Sequence, residues 1–231
     1  MGLCLSKPHK STFTHSSSLH GASEGDHMTN SLFNPDSDPR IDRLIELIEQ
    51  LCPESATLRQ TLNKITQQGG ASIYIVPDNE IRNSYGHAET GVATRSIRIG
   101  ENAISAIEGH SYRALNTCLI ELTNLSRADS FERVHHSYLA GRTSIESAAR
   151  ESERVEYGTI EDMTKYYQEA QQGINNLGYG EPGLWYMSTD PATQHTQPGY
   201  RSFDSYFVHA RRTGHTDAYR QYFRQIADHV G

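Results

Sequence analysis

Apolar residues recur at helical spacing from Asp38 onward. Ile41, Leu44, Ile45 and Ile48 form one stripe behind Asp38-Pro39, an N-cap acceptor followed by a proline at the first helical position, so a helix is predicted there. Ser55 then leads Leu58, Leu62 and Ile65 to a stop at Gly69-Gly70, a second helix. The period changes next. Ser72 to Val76 and Val92 to Ile99 are β-branched and partly alternating, which predicts two strands separated by a turn-rich stretch. Helical spacing returns over about 111–126, 128–140, 144–157, 159–172, 202–213 and 216–230. The Gly/Pro-rich segment between the fourth and fifth of these is a predicted long loop carrying the sole tryptophan, Trp185. This pattern predicts an α+β fold, a mainly helical single domain with a small β-sheet.

The stretch from Pro8 to Asp38 breaks the pattern. It is rich in Ser, Thr, His, Gly and Asn and poor in large apolar residues, too little to offset the entropy of ordering it. A disordered leader over 1–38 ahead of a folded domain over 39–231 is therefore expected. The net charge of −7 offers no electrostatic footprint for nucleic acid. Three widely spaced cysteines argue against a disulfide framework and a Cys-rich zinc site, and no apolar run approaches the ~20 residues of a membrane span.

The chain opens MGLCLSKP. Met1-Gly2-Leu3-Cys4-Leu5-Ser6 satisfies the M-G-x-x-x-[ST] pattern for myristoylation of Gly2 after removal of Met1. One myristoyl chain binds membrane only marginally, on the order of 10⁴ M⁻¹, so stable anchoring needs a second signal. Cys4 supplies a thiol for palmitate, and Lys7 and Lys10 add attraction to anionic lipid. This start, followed by a Ser-rich tether, resembles the leader of N-terminally acylated type III secretion effectors of plant-pathogenic bacteria. The resemblance covers about the first tenth of the chain. It implies a virulence protein delivered through a bacterial secretion chaperone, acylated by host acyltransferases, and held on the cytoplasmic face of the host plasma membrane, where it suppresses plant immune signalling. The leader is shared by effectors with unrelated domains, so it leaves the host target and the chemistry open.

Candidate chemistry lies in the helices. With Leu115 at zero and about 100° per residue, Leu115, Cys118, Leu119, Leu122 and Leu125 share one apolar stripe. Cys118 is thus expected in the core rather than as a nucleophile. Glu121 and Asn124 fall on the opposite side, a solvated face by default. The strand RSIRI followed by a helix bearing I-E-L-T-N resembles the strand and active-site helix of zinc metallopeptidases with an H-E-x-x-H motif. Glu121 would stand at the general-base position, but Ile120 and Asn124 replace both histidines, so no metal is expected. Glu156 projects into the sector of Ile145, Ala148, Ala149 and Ser152, where a carboxylate needs a partner: an arginine such as Arg95, Arg113 or Arg154, or a functional role beside Glu121. His215 sits at the entrance of a helix expected to be capped by Thr216, and is the preferred imidazole ahead of His136. Mono-ADP-ribosyltransferase stations are incomplete, since no glutamate follows Glu181, and kinase and P-loop motifs are absent.

The expectation is therefore an effector with a hydrolase-like cleft built from Glu121, Asn124, Glu156 and His215 and acting on a host protein without a cofactor. Two alternatives stay open: a non-catalytic effector that binds and blocks a host membrane-associated protein, and a cysteine-dependent protease or deamidase using Cys118 with His135 or His136.

Overall fold

A computed structural model describes residues 33–34, 38–81, 87–105 and 113–230. The leader with Gly2 and Cys4 lies outside the described residues, apart from the short strand β1 (Phe33–Asn34) and Asp38. Asp38 caps helix α1 (Pro39–Leu51), its carboxylate accepting the Arg40 N–H at 2.9 Å, with Pro39 at the first helical position. Ser55 caps α2 (Ala56–Gln67) by accepting the Leu58 N–H at 3.0 Å. Gly69 and Gly70, with φ of +100° and +82°, turn the chain into β2 (Ala71–Val76), a backbone path that favours glycine.

The sheet has the order β1-β2-β4-β3, where β3 is Ala88–Gly91 and β4 is Ser96–Gly100. β1, β2 and β4 run parallel, and β3 is antiparallel to β4. Two corrections arise here. The strand expected from Val92 starts only at Ser96, because Val92 to Arg95 forms the hairpin turn, with Arg95 at φ +50°. β3 was not anticipated, since Ala-Glu-Thr-Gly carries no apolar alternation, yet all four residues are buried against α4 (Arg113–Ser126) and the rest of the sheet.

After the short helix α3 (Glu101–Ser105), α4 sets the stripe Leu115, Cys118, Leu119, Leu122 and Leu125 into the core, as its spacing predicts. α5 (Ala128–Leu139) follows, and then one long helix, α6 (Ile145–Glu169), replaces the two expected over 144–157 and 159–172. Gly158 does not break it. Its carbonyl accepts from Arg127 at 2.8 Å, and a Cβ there would lie 2.7 Å from the same guanidinium, so this glycine serves close approach within a continuous helix.

α7 (Gln171–Asn176) leads into the segment expected to be a long loop, which is tied down instead. Trp185 is fully buried and donates its Nε1–H to the Tyr179 carbonyl at 2.8 Å, and a small hairpin, β5 (Met187–Thr189) and β6 (Thr196–Pro198), follows. α8 (Phe203–Arg212) and α9 (His215–Val230) close the chain. α6 is the spine: α4, α5, α8 and α9 all pack on it, in a mainly helical single body with a small sheet. No described helix is long and apolar enough to cross a membrane.

Candidate active site

α4 has two faces, and both are covered. Its apolar stripe enters the core, while β3 and α6 cover the other side, so Glu121 and Asn124 are each about 1% exposed rather than solvated as expected. Covering a polar face forces its groups to find partners. The Thr90 hydroxyl of β3 donates to Glu121 Oε2 at 2.5 Å, and the Thr159 hydroxyl of α6 donates to Asn124 Oδ1 at 2.7 Å. The Asn124 side chain also bonds Glu121.

Glu156 lies on the facing side of α6, 2% exposed, and its partner is not an arginine. It accepts from the Tyr219 hydroxyl of α9 at 2.8 Å. Arg95 instead donates to the Gly70 carbonyl, and Arg154 pairs with Glu151 and lies over the Phe203 ring.

His215 begins α9 after Gly214, whose φ is +80°. Its Nδ1 lies 3.0 Å from both oxygens of Glu153, a carboxylate with no exposed surface. Glu153 also accepts from Thr216 at 2.8 Å and Tyr206 at 2.8 Å. The Thr216 hydroxyl thus serves Glu153 rather than the N-cap expected of it. Glu153 stands four residues from Ala149 and three from Glu156 on the same buried face.

Glu121, Glu156 and His215, brought from α4, α6 and α9, line one cavity of about 280 Å³. Ile120 and Ile160 supply apolar wall, and Tyr186, Tyr200 and Tyr206 supply aromatic wall. His87 and His209 lie at other points of the lining. Asn124 does not reach the cavity; it sits behind Glu121 and orients it.

Burial pushes the Glu121 carboxyl up to about 7, against the Thr90 hydrogen bond and with help from the charge of Glu156. Burial likewise raises Glu156, opposed by His215 and by the Tyr219 hydrogen bond. For His215 burial acts downward, but the hydrogen bond to Glu153 and the charges of Glu156 and Glu153 outweigh it, leaving the imidazole above its ordinary value. A carboxyl poised near neutrality can take up or release a proton at physiological pH, and a carboxylate-bound imidazole lines the same cavity.

A zinc ion of the H-E-x-x-H kind does not fit here. Ile120 offers no ligand atom, Asn124 is engaged by Thr159 and Glu121, and no group of three or more His, Cys, Asp or Glu among the described residues is placed to hold a metal ion. Cys118 is fully buried in the apolar stripe, and burial pushes its thiol far from the thiolate range. His135 and His136 sit on α5, ring to ring at 6.0 Å, with His135 also against Tyr222; neither they nor Cys118 line the cavity. Comparison of the chain with protein-family models, curated proteins and solved structures finds no significant match in any of the three.

Proposed function

We propose that this protein is an acylated type III effector whose domain works as a metal-independent acid–base cleft, hydrolase-like, on a host protein at the cytoplasmic face of the plasma membrane, dampening immune signalling there. The observation that carries the catalytic half is the convergence of Glu121, Glu156 and His215, from three separate helices, on one cavity. Ionised Glu121 takes a proton from an attacking water as the new bond to the substrate forms. His215, held at Nδ1 by Glu153, then supplies a proton to the departing group. Glu156 completes the acidic wall, and Asn124 positions Glu121. The membrane half rests on Gly2 and Cys4.

A second reading has its own support. Thr90 with Glu121, Thr159 with Asn124, and Tyr219 with Glu156 form the satisfied polar network that a non-catalytic binder would also need to hold its fold. The deciding experiment replaces Glu121→Gln and His215→Ala separately and measures immune suppression in host tissue. Loss of suppression in folded variants supports the cleft as catalyst, whereas full retention in both leaves only the binder.

A further inference from the structure

We infer that the face formed by α2, α5 and the outer side of α6 lies against an anionic membrane surface, its lysines and arginines meeting lipid headgroups while the cavity points away from the bilayer. This rests on the membrane half of the proposed function. Two grooves open on that face, one of about 450 Å³ between α5 and α6 and one of about 220 Å³ between α2 and α6. Arg127, at the junction of α4 and α5, lines both. Arg133 and Arg154 border the first groove and Lys64 and Lys165 the second, against Glu151 and Asp162 as the acids of the two linings. This excess of cations stands on a chain whose net charge is −7.

The acids of these linings are engaged, and two of the cations are left over. Asp162 holds Arg127 and Lys165, and Glu151 lies 3.6 Å from Arg154, whose guanidinium also covers the Phe203 ring. Beyond the linings, Lys165 also acts on Glu169, and Asp129 and Glu132 act on Arg95. Lys64 and Arg133 are exposed and make no ion pair among the described residues, Arg133 donating only to the Ser130 hydroxyl at 2.9 Å. Helix periodicity separates this face from the cavity. At about 100° per residue along α6, with Glu156 at zero, Ile160 falls at about 40° on the cavity side, whereas Arg154, Lys165, Glu151 and Asp162 fall between about 160° and 240°. A bilayer against the second sector leaves the cavity facing the cytoplasm. Each basic residue beside an anionic leaflet strengthens partitioning about fivefold, so Lys64 and Arg133 supply the kind of second signal that one myristoyl chain lacks.

The test is sedimentation of the full-length unacylated chain with vesicles of phosphatidylcholine alone and of two parts phosphatidylcholine to one part phosphatidylserine. The protein should bind the second and not the first, and high salt should release it. Lys64→Gln and Arg133→Gln should each weaken binding about fivefold, and the double variant about 25-fold, with circular dichroism unchanged. Arg212→Gln removes an exposed cation of α8 outside both grooves and should weaken binding by less than about twofold. Binding that ignores phosphatidylserine, that survives the double variant, or that Arg212→Gln weakens as much overturns the inference, as does saturable binding of inorganic phosphate without vesicle preference. Vesicle binding that depends on Lys64 and Arg133, while Gly2→Ala keeps its host-membrane association, leaves the inference standing and removes the acyl anchor. Release of Gly2→Ala without any vesicle preference does the reverse.

Discussion

His215 Nδ1 lies 3.0 Å from both carboxylate oxygens of Glu153, inside a domain where Glu153 has no exposed surface at all. A buried carboxylate is tolerated only when its lone pairs are met, and here an imidazole and the hydroxyls of Thr216 and Tyr206 meet them. The pair holds the ring by Nδ1 and keeps the imidazole readily protonated. Glu153→Gln keeps the shape and removes the charge. The His215 pKa should then fall below its wild-type value, because the downward pull of burial loses its main opponent. An NMR titration of the His215 ring reads this directly, and an unchanged midpoint would show that Glu153 does not set it.

Stability should depend on pH in a direction that Glu121 dictates. Its carboxyl rises from an ordinary 4.5 to about 7 on folding, so the folded state binds the proton more tightly than the unfolded chain. The resulting stabilisation is complete below about pH 4.5 and is lost as pH rises through 7, by on the order of 3 kcal/mol. His215 acts the same way, since its folded value is also raised: its contribution holds below its unfolded value of about 6.5 and fades above the folded one. Urea unfolding should therefore give a lower midpoint at pH 8 than at pH 5. In Glu121→Gln that difference should shrink, with the variant more stable than wild type at pH 8. A wild-type midpoint that climbs from pH 5 to pH 8 would contradict the burial of these acids.

The difference between what sequence displays and what folding adds is visible in these residues. The Asp38-Pro39 cap and the Leu115 to Leu125 stripe are local patterns, and both were legible because their partners lie within a few residues. The site is not local. Thr90 stands 31 residues from Glu121 and Tyr219 stands 63 from Glu156, so neither donor could be assigned before the helices were packed. β3 escaped for the same reason, since its burial comes from α4 and β4 rather than from its own composition. Glu153 is the exception. Its place on the buried face of α6 followed from helical periodicity alone, and the clue was the run of Ala149, Ser152 and Glu156 around it.

Trp185 should anchor both the core and one wall of the cavity. It is fully buried, its Nε1–H is satisfied by Tyr179, and the next residue, Tyr186, turns at φ +57° into the cavity lining. Trp185→Ala should cost about 3–5 kcal/mol and leave the Tyr179 carbonyl without that donor. Chemical denaturation followed by circular dichroism measures the loss, and a cost below about 1 kcal/mol would mean the segment is not part of the core. As the sole tryptophan, Trp185 also reports wild-type unfolding by a red shift of its fluorescence.

The leader makes a prediction that is independent of the cavity. If two fatty chains hold the protein on the host membrane, Gly2→Ala removes the first and should move the protein to the soluble fraction of host tissue. Cys4→Ser leaves the marginal myristoyl anchor and should give partial release. Gly2 and Cys4 both lie outside the described residues. Membrane retention of Gly2→Ala would require a different anchor.

Cys118 separates the acid–base reading from a thiol mechanism. Its sulfur sits among Leu115, Leu119 and Leu122 in the core, and burial strongly disfavours the thiolate that attack on a substrate requires. Cys118→Ala should therefore lower stability by about 1–2 kcal/mol through the small void it leaves, with immune suppression retained at expression levels matched to wild type. Cys118→Ser should be the worse of the two, because it places a hydroxyl where apolar side chains dominate. The order of the two variants is the informative result: a nucleophile would lose function equally in both, whereas a packing residue loses stability in proportion to how poorly its replacement suits the core.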